Sequence, residues 1–228
     1  MLKITDPNRK GVAILMVHKI VEKVPDEQLQ KDLEKYRKRA LELGATDARI
    51  ITTDMVLIDE RVRAKCMYPK CRSYGTNANC PPYGMDLDLT RKVVNNFNYG
   101  IFYMIKVPAE KVAGPEVLGK RLNVPSLIKN YEIASRIEAE AFHDGYFFAL
   151  GFAGGPCKSV FCPDNECDAL IPGQSCRHPL RSRSSMEGVG MAAYTMAVKV
   201  GWDIYPVGVS TLPSDVPCGL RLGLVLIY

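Results

Sequence analysis

Two segments of this chain carry three cysteines each at the same spacing. Cys66, Cys71 and Cys80 are separated by four and then eight residues, and Cys162, Cys167 and Cys176 repeat those gaps. Cys157 precedes the second triplet by four intervening residues, and Pro81-Pro82 and Arg177-His178-Pro179 follow the two triplets. Thiols crowded on Gly- and Pro-broken segments repel one another once ionised unless something positive sits between them. Both segments therefore read as ligand loops for metal, and the rest of the chain as the scaffold that holds them.

The eighth cysteine, Cys218, stands in a Val-Pro-Cys-Gly turn near the C-terminal end of the sequence. It completes two shells of four if it joins Cys66, Cys71 and Cys80. Alone in an apolar stretch, it equally reads as a small buried hydrophobe. If it stays apart, the first site keeps one metal position open for substrate.

Composition narrows the choice of cross-link. A chain of 228 residues with 47% apolar residues can bury a core without disulfide staples. The run from Val12 to Val17 is too short for a signal or a span of ~20 apolar residues. The expected compartment is the cytoplasm, where thiols stay reduced and serve as ligands or redox groups. The net charge of +5 is spread along the chain, so neither nucleic acid nor membrane is expected as a partner.

Periodicity sets the expected elements. Residues 1–25 read as an N-terminal extension, with Val12–Val17 as a strand, and residues 26–228 as one domain. Asp26–Leu43 reads as a helix with Leu29, Leu33, Tyr36, Ala40 and Leu43 on one face and Gly44 as its stop. Ala48–Ile58 reads as one strand or a hairpin, and strands are expected over Tyr99–Val107, Tyr146–Phe152, Ile204–Val209 and Leu220–Ile227. Further helices are expected over Asp88–Phe97, Glu116–Gly119, Ser126–His143 and from Ser185 to Val200. The alternation gives an α/β or α+β fold, one mixed sheet flanked by helices, with the two cysteine-rich loops attached.

The ligand spacing bears on the metal. A [4Fe–4S] cluster takes about four thiolates from a loop and its surroundings; gaps of four and a following proline both occur in ferredoxin loops. Zinc sites usually pair ligands two to four residues apart, so gaps of eight fit zinc less well. One or two [4Fe–4S] clusters are the expected cofactors, with zinc as the alternative. Arg177, Arg181 and Arg183 precede Ser185, whose place at a helix start makes it an anion site. Arg177, His178 and Ser185 are thus candidate groups around the cofactor. Tyr68, Tyr74 and Tyr83 are expected to shield the first site from water. No phosphate loop follows Gly154-Gly155-Pro156, and no dinucleotide fingerprint or nucleophile elbow is present.

Val62-Arg-Ala-Lys-Cys66 through Cys80-Pro-Pro-Tyr-Gly84 resembles the first motif of the DUF2284 family of predicted metal-binding proteins. Gly145-Tyr146, the cysteines from Cys157 to Cys176, Arg177-His178-Pro179 and Ser185-Met186-Glu187-x-x-Gly190 resemble its second. The resemblance implies metal binding at Cys66, Cys71, Cys80, Cys157, Cys162, Cys167 and Cys176, and does not reach Cys218. Two functions follow as expectations: anaerobic one-electron transfer to a redox partner protein, or an enzyme whose open iron binds a small-molecule substrate. A zinc-stabilised interaction module is the third.

Overall fold

The computed structural model describes residues 18–228, apart from the side chains of residues 118 and 119. The expected strand at Val12–Val17 lies outside the described residues. Helix α1 (Asp26–Glu42) starts on Pro25 with two acidic residues in its first turn, which complement the helix dipole. Its stripe of Leu29, Leu33, Tyr36 and Ala40 is buried as expected, and each large side chain among them contributes about 2 kcal/mol of transfer free energy. The stripe packs against helix α5 (Val124–His143) and one face of the sheet.

The sheet has five strands: β1 (Asp47–Thr52), β2 (Tyr99–Val107), β3 (Leu150–Ala153), β4 (Ser184–Ser185) and β5 (Gly219–Leu226). Their spatial order is β1-β2-β5-β3-β4. Three pairings are antiparallel and β3–β4 is parallel, so the sheet is mixed, as the alternation of elements predicts. The central strands β2 and β5 are apolar on both faces because both faces are covered. Ile101, Tyr103, Ile105 and Val225 meet α1 and α5. Phe102, Met104, Leu222, Leu224 and Leu226 meet Met186, Val189, Met196 and Trp202 on the opposite face. Helices α2 (Glu60–Met67), α3 (Leu87–Val94), α4 (Glu116–Gly119), α6 (Cys157–Phe161) and α7 (Ala193–Lys199) complete the fold. Among the described residues, no helix is long and apolar enough to cross a membrane.

Four expectations need correcting. The strand from Ala48 stops at Thr52, where a short 3-10 turn begins, and Thr53 donates its hydroxyl to the Phe97 carbonyl. Ile58 makes only an isolated bridge to Met191. The strand expected from Tyr146 starts at Leu150, because Tyr146 turns back to bond Ala141 through its N–H and Asp32 through its hydroxyl. Ile204–Val209 forms no strand among the described residues; the Gly208 carbonyl instead accepts from Gly114.

The fourth correction bears on the site. The helix expected from Ser185 to Val200 is broken into strand β4, a 3-10 turn at Glu187–Val189, and α7. Ser185 pairs with Ala153 in the parallel ladder, and Gly190 takes a left-handed φ of 87° that ends the turn. A Cβ at Gly190 would stand 2.2 Å from Leu87 Cδ2, so only glycine lets the chain pass α3 here.

Candidate metal centre

The first cysteine segment is a helix followed by successive tight turns. Asp59 caps α2 by accepting from the Arg61 N–H at 2.8 Å, and this places Cys66 in the helix's last turn rather than in a loop. The Cys71 N–H then bonds the Cys66 carbonyl, Tyr74 bonds Cys71, and both Tyr83 and Gly84 bond the Cys80 carbonyl. A bond from the Gly75 N–H to the Pro81 carbonyl, at 2.8 Å, closes the segment on itself. Cys80 is buried, Cys66 half-buried and Cys71 exposed. Burial pushes the Cys80 thiol up to about 11, against a hydrogen bond from Asn77; charge on Cys157, Cys66 and Cys71 pushes in the same direction as burial. Burial and then Cys71 raise the Cys66 thiol as well. These three cysteines therefore share one neighbourhood.

The second segment is built the same way. Cys157 opens α6 and is buried, while Cys162 ends that helix. Cys167 caps a 3-10 turn at Asp168–Leu170. Cys157, Cys162, Cys167 and Cys176 line one cavity of about 310 Å³, together with Phe161, His178 and Asn79 from the first segment. Burial raises the Cys162 thiol, the Arg177 cation opposes this, and Cys157, Cys176 and Cys167 add to the rise. The structure thus brings all four cysteines of the second set to one site.

The two sets adjoin through Cys157. Its thiol faces Asn77 Oδ1 at 3.7 Å and accepts from Asn79 Nδ2 at 3.4 Å. Asn77 is 1% exposed, and its backbone carbonyl accepts from the Cys80 N–H at 3.3 Å, so one buried residue bonds a cysteine of each set. Asn79 also donates to Ser182 at 2.7 Å, which ties the first segment to the chain after Cys176.

The remaining candidates are placed differently from one another. The His178 N–H donates to Cys176 Sγ at 3.4 Å, and its ring packs beside Phe161 at the cavity. Arg177 is paired with Asp168 at 2.6 Å. Arg181 lies over the Phe161 ring, and Arg183 forms a two-pronged pair with Glu138. Ser185 is buried in β4 and accepts from the Gly188 N–H, so neither a helix start nor an arginine cradle exists there. Tyr68 and Tyr83 are 77% and 58% exposed and shield nothing; Tyr74 is half-buried.

Cys218 stands apart. It lines a cleft with Asp47, Arg49, Met104, Lys106, Trp202 and Asp203, and no other cysteine among the described residues borders it. The first set is therefore left with three thiols of its own. Among the described residues, no group of three or more His, Cys, Asp or Glu side chains is arranged to grip a single metal ion. Sequence reasoning missed Asn77 and Asn79, which are flagged only by an Asn-Ala-Asn run before Cys80.

No curated protein and no solved structure matches this chain at a significant level. The model of one family, described as predicted metal-binding protein (DUF2284), matches residues 49–226 and so spans both cysteine segments and the sheet; the chain belongs to that family.

Proposed function

We propose that this protein holds iron–sulfur clusters and transfers single electrons. One observation carries the reading: four cysteines surround a single cavity of about 310 Å³ that the first cysteine segment helps to wall. Zinc ligands usually pair at gaps of two to four residues, which the gap of eight between Cys167 and Cys176 fits poorly. Four thiols around one cavity suit a polynuclear core. Cys157, Cys162, Cys167 and Cys176 would hold a [4Fe–4S] cluster, and such a cluster supplies one-electron chemistry when bound.

The chain's own contribution is the electrostatic setting. The Asn79 carboxamide and the His178 N–H point at the sulfurs of Cys157 and Cys176, and the Arg177 cation stabilises the thiolate of Cys162. Each favours negative charge on sulfur and so raises the potential of whatever the thiolates hold.

Cys66, Cys71 and Cys80 would hold a second cluster. With Cys218 in a separate cleft, three thiols serve that site, and this favours a second role in which an open metal position meets a substrate. Iron and acid-labile sulfide in anaerobically purified protein test the proposal, with EPR of the dithionite-reduced sample. Iron and sulfide in equal amounts with a reducible signal are expected. Zinc without sulfide or colour overturns it.

A further inference from the structure

The first cysteine segment concentrates positive charge. Between Arg61 and Met85 stand five cations and no carboxylate, so this stretch alone holds a charge of +5, equal to the net charge of the whole chain. Two of the five are used structurally. Arg61 pairs with Asp59, and Arg63 donates to the Met85 and Gly188 carbonyls. The carboxylates that flank the stretch are engaged elsewhere: Asp59 by Arg61, Glu60 by Arg91, and Asp86 by the Leu89 N–H. Among the described residues, Lys65, Lys70 and Arg72 are left without an ion pair.

These three cations frame one surface turn. The Cys71 N–H bonds the Cys66 carbonyl at 2.9 Å, so Lys65 and Arg72 flank the closed base while Lys70 stands on the turn itself. The Lys70 ammonium lies over the Tyr74 ring, 5.5 Å from its centre, which places the charge without cancelling it. Every residue from Met67 to Arg72 is exposed, and Tyr68 is 77% exposed. Cys71 is the one exposed cysteine of the eight. At the second site, by contrast, the Phe161 ring walls the cavity, with His178 beside it and Arg181 over it. The basic turn is therefore the outer surface of the more accessible set of thiols.

We propose that the turn from Lys65 to Arg72 is the docking surface for an acidic one-electron carrier protein, which meets the first site across the exposed Cys71. Met67, Tyr68 and Pro69 form an apolar tip between like charges. That is the make-up of a protein interface, where aromatic and Met side chains anchor and the surrounding charges steer. A turn of this size suits the small contacts of transient redox encounters, under about 1,200 Å². Nucleic acid fits less well, because strong phosphate binding takes roughly 6–10 contacts and only three cations here are unpaired among the described residues. That the carrier gives its electron to a metal at Cys66, Cys71 and Cys80, the carrier oxidised by one electron and the metal reduced by one, rests on the function proposed above; the docking does not.

Calorimetric titration of the metal-loaded protein with two acidic carriers, a plant-type ferredoxin and a flavodoxin, tests this. Saturable one-to-one binding of at least one is expected, at least ~10-fold weaker in about 300 mM salt than in about 20 mM. Lys65→Gln/Lys70→Gln/Arg72→Gln should weaken it ~10-fold or more, and Tyr68→Ala ~3-fold. Lys31→Gln/Lys38→Gln/Lys129→Gln makes the same change in net charge on α1 and α5, across the sheet from the turn on which α2 packs, and should bind as the wild type does. If the loop variant loses its iron, Tyr68→Ala, which keeps every charge, must still weaken binding. The proposal falls if neither carrier saturates the wild type, if the folded loop variant or Tyr68→Ala binds unchanged, or if the distant triple variant weakens binding equally. It falls too if duplex DNA of random sequence binds more tightly than both carriers. EPR of the protein mixed with reduced carrier follows the electron separately. Binding without transfer sinks only the redox reading, and a reducible cluster signal without binding sinks only the docking surface.

Discussion

The carboxamide of Asn79 donates a hydrogen bond to the sulfur of Cys157 at 3.4 Å, across 78 residues of sequence. An N–H aimed at a ligand sulfur stabilises the more negative, reduced state. Asn79→Leu keeps the approximate volume and removes the donor. In anaerobically reconstituted protein the midpoint potential of the second site is expected to fall, with iron content retained. An EPR-monitored redox titration checks this, and an unchanged potential would show that Cys157 carries no cluster ligand tuned by Asn79.

Glu138 joins α5 to the end of the second cysteine segment. It accepts from Arg183 through both oxygens, at 2.8 and 2.7 Å, and from the Gly151 N–H at 2.6 Å. Both charged side chains are largely buried, at 13% and 20% exposure. Removing one partner leaves the other charge uncompensated, at a cost of about 3 kcal/mol. Glu138→Ala should lower the urea midpoint accordingly, and Glu138→Ala/Arg183→Met should recover part of the loss. A double variant no more stable than the single one would show that the pair is not coupled.

What the sequence disclosed follows from how local each signal is. Tyr99–Val107 is an apolar run buried on both faces, and its bounds are observed unchanged. The α1 stripe repeats at helical spacing, so the core face was legible residue by residue. The segment after Ser185 was misread because Met186, Val189 and Ala192 also fit a helical face, whereas Ser185 is claimed by a partner at Ala153. Such a partner is set by topology, which periodicity does not carry. The same holds at the site. Cysteine content pointed to metal, but only the fold shows that Cys157 adjoins the first segment while Cys218 lies elsewhere.

Close packing makes Gly223 a sensitive position. A Cβ there would stand 2.2 Å from the Tyr103 hydroxyl, which lies 2.7 Å from both the carbonyl and the Oδ1 of Asn130. The Asn130 Nδ2 in turn bonds the Leu222 carbonyl at 2.8 Å. Gly223→Ala would push a fully buried tyrosine off its partner. Overpacking and the lost hydrogen bond together are expected to cost about 3 kcal/mol. Tyr103 Cζ and Asn130 Oδ1 would also stand within 2.3 and 2.7 Å of that Cβ, so thermal unfolding should show the full loss, and full stability of the variant would contradict the contact.

Cys80 gives the metal-free protein a pH dependence. Its thiol rises from an ordinary 9.0 to about 11, chiefly through burial. A raised value means that the fold binds the proton more tightly than the unfolded chain does. The associated stability is complete below pH 9.0 and is lost as pH climbs through about 11. A shift of this size corresponds to roughly 3 kcal/mol. Buried tyrosines titrate in the same direction, so the informative quantity is the difference from Cys80→Ser. Urea unfolding of metal-free protein at several pH values between these limits should show a steeper decline in the wild type. Parallel declines would place the Cys80 thiol in water.

Cys218 decides how the eight thiols are shared. It borders a cleft with Asp47, Arg49, Lys106 and Asp203 that no other cysteine lines among the described residues, and the charges felt by Cys80 come from Cys157, Cys66 and Cys71 without it. Cys218→Ser exchanges a half-buried thiol for a hydroxyl of similar shape, so a cost under about 1 kcal/mol is expected. Iron and sulfide per chain should stay at the wild-type level, and the spectrum of the reduced protein should not change. Cys80→Ser is the contrast: it removes one of three thiols at the first site, and roughly half of the iron should be lost if both sites are filled equally. Should Cys218→Ser lose a comparable share, the first site has four thiolates rather than three. The open metal position would then disappear, and with it the reading that a substrate reacts beside Cys66.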